Sequence, residues 1–249
     1  MGTDPLLVRH AGPSRLVTLT GGRLLTAVLD AIAARGTAHV ALTGGTMGSA
    51  VVAALADHPA QDAVDWSKVH FWWGDERYLS AGDPDRNDTQ NDEAGLRMLT
   101  LGSDRVHRVP GPDETGSVEE AAQRYEEELR AHGGEAFDVV LLGVGPDGHV
   151  ASLFPGHPQQ TADDTIAVAV HDSPKPPPTR VSLTAECLSR SRQVWFVVSG
   201  SDKAEAVAKG VAGAPAEQSS TGLVRGTEHT LWLVDESAAD QVAQETTEG

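Results

Sequence analysis

The chain has 249 residues, enough for one large α/β domain or two small ones. With 39% hydrophobic and 22% charged residues, its composition is close to that of an ordinary soluble protein. A formal net charge of −17 repels nucleic-acid phosphate and anionic membrane, which argues against general binding to either and obliges an anionic ligand to sit in a local cationic pocket.

Residues 1–12 contain no long apolar run and no signal-type cleavage site. No segment is read as approaching the ~18 apolar residues of a membrane span, so a cytoplasmic protein is expected. Residues 38–43 read as a short strand that stops at Gly44-Gly45, with a helical stretch from Met47 to Ala56. Val69-His-Phe-Trp-Trp is the next strand and runs into Gly74-Asp75-Glu76-Arg77. Val106 to Val109 is a third candidate strand. Ser117 to His132 carries Glu and Arg at helical spacing, with Ser117 and Glu120 placed for a capping box. Residues 137–143 form the clearest strand, apolar on both faces as a central parallel strand must be. Ser173-Pro-Lys-Pro-Pro-Pro reads as a stiff extended loop. Ile166 to Val170, Gln193 to Val198 and Thr230 to Val234 are three further strands, and the polar end from Gln241 to Gly249 is expected to fray.

Strands alternating with helices predict a single α/β domain spanning residues 1–249, with a mostly parallel, doubly wound sheet covered by helices on both faces. Ligands of such sheets bind beyond the carboxyl ends of the strands, and three strands here end in unusual polar loops. In the first, Thr43-Gly44-Gly45-Thr46-Met47-Gly48, glycines permit close backbone approach and the helix start offers N–H groups to an anion. The plain alternative is a strand-to-helix turn capped by Thr46. In the second, Asp75, Glu76 and Arg77 follow a buried strand and must be paired or face a polar site.

The third loop is Gly143-Val-Gly-Pro-Asp-Gly-His-Val-Ala-Ser-Leu-Phe-Pro-Gly. Its formal G-x-G-x-x-G fails as a dinucleotide fingerprint, because Pro155 and Gly156 leave room for roughly two helical turns at most. It reads better as a turn presenting Asp147 and His149. Histidine titrates near pH ~6.5 and can act as general base, with the carboxylate orienting it. The alternatives are a helix-start histidine bonded to backbone and ordinary Asp-Gly turn chemistry. Cys187, the only cysteine, has no base beside it in sequence and reads as a small, half-buried helix residue. There is no G-x-S-x-G elbow, no H-E-x-x-H helix and no Walker loop. The ten histidines show no close metal-ligand spacing, so no metal site is expected.

The third loop resembles the G-x-G-x-D-G-H-T-A-S-L-F-P-G signature of the 6-phosphogluconolactonase family. Phe71-Trp-Trp-Gly-Asp-Glu-Arg, Ser173-Pro-Lys-Pro-Pro-Pro-Thr-Arg-Val-Ser-Leu-Thr and Ser199-Gly-Ser-Asp-Lys-Ala resemble three further segments of that family, in order and at matching spacing. Thr43-Gly-Gly-Thr-Met-Gly stands where the family usually has S-G-G-S-T-P. The resemblance implies the fold shared with glucosamine-6-phosphate deaminases. It also implies His149 as base, Asp147 and Arg77 beside the lactone ring, and Arg180 and Lys203 on phosphate. Gly44, Gly45, Thr46 and Asp75 complete the implied substrate site. The expected reaction is hydrolysis of a phosphorylated sugar lactone by water activated on His149, with no metal or organic cofactor, in a monomer or weak homodimer. The rivals are a sugar-phosphate isomerase or deaminase on the same scaffold and a non-catalytic sugar-phosphate sensor.

Overall fold

The computed structural model describes residues 4–99 and 102–242. Nine strands and six α-helices follow one another along these residues. They are β1 (Pro5–His10), α1 (Pro13–Arg35), β2 (Ala38–Leu42), α2 (Gly45–Ala56), β3 (Val69–Trp73), β4 (Asp75–Arg77), α3 (Asn87–Ala94) and α4 (Val118–His132). The second half comprises β5 (Val139–Leu142), β6 (Ala167–Val170), β7 (Arg180–Leu183), α5 (Ala185–Ser189), β8 (Gln193–Val198), α6 (Ala204–Val211) and β9 (His229–Asp235).

Six strands form one sheet in the order β1-β9-β8-β5-β2-β3, parallel throughout. Side chains alternate across a strand, so each central strand feeds two cores. Val40, Phe71, Trp73, Leu141, Trp195 and Leu233 pack beneath α1 and α2 against Leu24, Val28, Val51 and Leu55. Ala41, Trp72, Val140, Phe196 and Trp232 pack on the opposite side against Tyr125 and Leu129 of α4, Cys187 of α5 and Val207 of α6. Helices on both faces are the predicted doubly wound arrangement. Cys187 is fully buried, beyond the half-burial expected of it.

A second, three-stranded sheet, β4-β7-β6, is antiparallel and was not expected. Gly74 alone separates β3 from β4. Its N–H donates to the Leu42 carbonyl of the large sheet, and its carbonyl accepts from Leu183 of the small one. Ile166 to Val170 is therefore a strand from Ala167 onward, as read, but in the small sheet. Val181 and Leu183 of β7 join the same core as the main sheet's α4 face.

Val106 to Val109 is not a strand. Only Val106 bridges to Phe71, with the His107 N–H donating to the Phe71 carbonyl at 2.9 Å, and no further ladder forms. The helix α1 corrects another expectation, since by length and composition it is apolar enough to cross a membrane. Its apolar stripe, Leu16, Leu24, Leu25 and Val28, is instead buried in the protein core. Gly36, left-handed at φ +85°, ends α1 by donating to the Ile32 carbonyl. Ser117 caps α4 by accepting from the Glu120 N–H at 3.2 Å, and Glu120 reaches back to the N–H of Gly116. Of the end expected to fray, residues 243–249 lie outside the described residues.

Candidate active site

The carboxyl ends of β2, β3 and β5 bring the three polar loops to one cavity of about 260 Å³. Gly44, Gly45, Asp75, Arg77, His149, Arg180 and Lys203 all line it, joined by Thr43, Asn87 and Lys175. A larger cleft of about 830 Å³ lies between α1 and the β1–β9–β8 edge, away from these loops.

No helix follows β5, so His149 is not a helix-start residue. The Gly145 N–H donates to the His149 carbonyl and the Gly148 N–H to the Gly145 carbonyl, each at 2.9 Å, closing a tight turn. A side chain at Gly145 would place its Cβ 2.1 Å from His149 Nδ1 and 2.4 Å from Asp147 Oδ1. The glycine is therefore required for the imidazole and carboxylate to fold over the turn. His149 Nδ1 lies 2.6 Å from Asp147 Oδ1. Partial burial tends to raise the Asp147 pKa, but the hydrogen bond and charge of His149, with Lys175 3.7 Å away, hold it well below the usual carboxylate range. An ionised Asp147 accepts from Nδ1–H, which leaves Nε2 as the basic nitrogen of the ring. Phe154 flanks the imidazole with ring centroids 4.5 Å apart.

Alternation along β4 divides the Asp75-Glu76-Arg77 run. Asp75 and Arg77 line the cavity. Asp75 accepts from Ser152 Oγ at 2.6 Å and from Asn87 Nδ2 at 3.3 Å. Arg77 donates through Nη1 to the Asp85 carbonyl, while its buried Nε has no partner among the described residues. Glu76 points the other way and accepts the N–H groups of Arg77, Asn87 and Asp88 at 2.7–2.9 Å. Burial, and then the Asp88 carboxylate, push its pKa upward.

Gly44 and Asn87 show a second close approach: a Cβ at Gly44 would fall 1.8 Å from Asn87 Oδ1. The helix α2 starts at Gly45 with Gly44 at its cap, so Thr46 is not the cap and lies exposed in the first turn, outside the cavity lining. Arg180 is 4% exposed, and its fork is largely spent. Nε donates to Pro177, and Nη2 donates to the carbonyls of Lys175 and Pro176, at 3.1–3.2 Å. Nη1 lies 3.9 Å from Asp75. Among the described residues, the ammonium groups of Lys203 and Lys175 are held only by 3.7 Å ion pairs to Asp202 and Asp147. Burial, followed by the charges of Lys203 and Arg180, holds Lys175 below the ordinary lysine range against the pull of Asp147. The cationic pocket demanded by an acidic chain is thus present.

Sequence reasoning assigned no role to Lys175 or Ser152. Lys175 carried a signal, as one of only four lysines and part of the proline segment. Spacing among histidines alone also overlooked His107, Glu128 and His132, which gather away from the cavity with ligand atoms within 4.8 Å.

A family model described as glucosamine-6-phosphate isomerases/6-phosphogluconolactonase matches residues 12–232. The chain belongs to this family. A 6-phosphogluconolactonase of Streptomyces coelicolor is 45% identical, across 97% of this chain and 96% of that protein. A 6-phosphogluconolactonase of Mycobacterium tuberculosis is 44% identical, across 90% and 93%. Among solved structures, 6-phosphogluconolactonase from Trypanosoma brucei superposes with a TM-score of 0.85 at 25% identity, covering 98% of this chain and all of that one. A monomeric glucosamine-6-phosphate deaminase shares the fold at a TM-score of 0.79 and 18% identity, covering 96% of this chain and all of its own. The family therefore spans two chemistries on one scaffold, and the residues in the cavity must separate them.

Proposed function

We propose that this family member hydrolyses 6-phospho-D-glucono-1,5-lactone to 6-phospho-D-gluconate in the oxidative pentose phosphate pathway. The observation that carries this reading is His149 in the wall of a cavity that also holds Arg77, Lys175, Arg180 and Lys203, with Asp147, which does not itself line the cavity, 2.6 Å from its ring. In this reading Nε2 of His149 takes a proton from a water molecule as its oxygen bonds to the lactone carbonyl carbon. Arg77, which lines the cavity, or backbone N–H groups of the loops, hold the developing oxyanion. The tetrahedral adduct collapses, the bond to the ring oxygen breaks, and imidazolium returns the proton to that oxygen. Asp147 keeps the ring in its Nδ1–H tautomer and stabilises its charged form. Cys187 is no competing nucleophile, since burial pushes its thiol up to about 12.

Lys203 and Lys175 meet the phosphate, and Arg180 adds its charge from the wall while fixing the proline loop. Asp75, Asn87 and the Gly44–Gly45 backbone contact the sugar end, with Thr46 contributing only its place in the first turn of α2. The whole chain acts as one domain, in the cytoplasm, as a monomer or weak homodimer, and its chemistry requires no metal or organic cofactor.

The test mixes pure protein with freshly made lactone and follows acid release against the spontaneous rate. Acceleration that is absent from the His149→Ala protein supports the reading. Release of ammonia from glucosamine 6-phosphate in place of lactone hydrolysis would replace it with the deaminase chemistry, and tight sugar-phosphate binding without turnover would mark a sensor.

A further inference from the structure

Glu128 and His132 stand one turn apart on α4, so their side chains share a face. His107 reaches the same place from the segment that follows the Val106 bridge. Glu128 Oε1 lies 2.7 Å from His107 Nδ1 and 3.4 Å from His132 Nε2. His107 is buried, whereas the side chains of Glu128 and His132 are each 42% exposed, which opens the cluster to solvent. Behind His107, its Nε2 meets His70 Nδ1 at 2.8 Å, and His70 Nε2 meets Arg105 Nη1 at 3.0 Å. Arginine only donates. His70 therefore accepts at Nε2 and donates from Nδ1 to His107 Nε2, and His107 donates from Nδ1 to Glu128.

We propose that His107, Glu128 and His132 form a binding site for a borderline divalent transition ion, with zinc as the best match. Two imidazoles and one carboxylate suit zinc, whereas calcium and magnesium prefer sets made wholly of oxygen. Zinc bonds of about 2.0–2.2 Å place tetrahedral ligand atoms about 3.4 Å apart, with water filling the fourth position. The three donor atoms already lie within 4.8 Å of one another, one on a half-buried side chain and one on an exposed, adjustable one.

Binding reverses the hydrogen-bond chain without changing its proton count. His107 gives its Nδ1 lone pair to the ion and carries its proton on Nε2, where it donates to His70 Nδ1. His70 then carries its own proton on Nε2, and Arg105 turns away from it. An outer partner that orients a ligating histidine in this way is a regular feature of zinc sites. The ion would join the last turn of α4 to the segment at Val106 and His107 that lies beside β3, remote from the lactone cavity. It is therefore a structural site, separate from catalysis.

The test titrates zinc into EDTA-treated, full-length protein by calorimetry and follows thermal unfolding. One equivalent should bind and raise Tm, while lactonase activity is the same with and without the ion. The Glu128→Gln/His132→Ala protein changes one half-buried and one exposed side chain, and its new glutamine keeps an oxygen that can accept from His107. It should lose that equivalent and the Tm rise while keeping activity. Arg105→Gln removes the obligate donor that opposes the flipped histidines and should tighten binding, on the order of tenfold, as for other outer-partner changes. The proposal is overturned if no zinc is taken up or if the double variant retains it. Unchanged affinity in Arg105→Gln would overturn the tautomer switch.

Discussion

Two charged clusters follow the ends of β3 and β5, and they are built to opposite rules. Glu76, Arg86 and Asp88 are 1–3% exposed, and their polar atoms are spent on each other, on backbone and, for Asp88, on Arg108 as well. Arg86 bonds Asp88 twice at 2.9 Å and also reaches the carbonyls of Leu79 and Val109. The Asp147–His149 pair, by contrast, is half-open and uses one ring nitrogen, leaving the other for the proton transfer proposed above. Burial with complete satisfaction marks a structural cluster, and a poised group with one unspent atom marks a working one.

The largest expected effect breaks the working cluster. The His149→Ala protein should fold normally and bind the lactone, with kcat lower on the order of 10²–10⁴-fold, typical of losing a general base. Near-normal turnover in the acid-release assay would remove His149 from the mechanism.

The mirror experiment breaks the structural cluster. Arg86→Met leaves Glu76 buried without its cation and Asp88 with only Arg108, 3.3 Å away, and breaking such a buried pair typically costs about 3–5 kcal/mol. Urea unfolding should show that loss, while kcat per folded molecule stays close to wild type. A variant of normal stability but poor turnover would place Arg86 in the chemistry and undo the contrast.

A smaller effect separates the cations. Lys203→Ala should lower kcat/KM for the phosphorylated lactone on the order of tenfold, about 1.4 kcal/mol, and barely affect unphosphorylated gluconolactone. Arg180→Ala should lower both, because that guanidinium also braces the proline loop through its carbonyl contacts. Equal losses on the two lactones for Lys203→Ala would take phosphate away from this lysine.

The smallest effect concerns acid stability. Burial tends to raise the Glu126 pKa, but hydrogen bonds from Thr165, Arg130 and Ile166 hold it down to about 2, from 4.5. A depressed carboxylate stabilises the fold above its unfolded pKa, and that contribution fades as pH falls from about 4.5 towards 2. Glu126→Gln should therefore cost on the order of 1 kcal/mol at pH 7, as for a lost charge-assisted hydrogen bond. The gap from wild type should close in denaturant titrations as pH approaches 2. A gap independent of pH would mean packing, and not charge, holds this position.

The sequence by itself determined the features that depend on neighbours along the chain. Strands such as residues 137–143 are apolar on both faces, so their place in a covered parallel sheet was legible. The glycine-rich loops at their ends, and the two-residue spacing of Asp147 and His149, follow from local turn chemistry, and the structure has the pair within hydrogen-bond distance. Tertiary structure decided the rest. β1 pairs with β9 from the far end of the chain, and no local pattern encodes that register. The run Asp75-Glu76-Arg77 looked like a single charged patch until pairing with β7 made it a strand and sent Glu76 to the opposite side. Arg180 looked like an open fork until the carbonyls of Lys175, Pro176 and Pro177 folded onto it. In each case the outcome is set by which distant groups compete for a side chain's hydrogen bonds, and that allocation exists only once the chain has closed on itself.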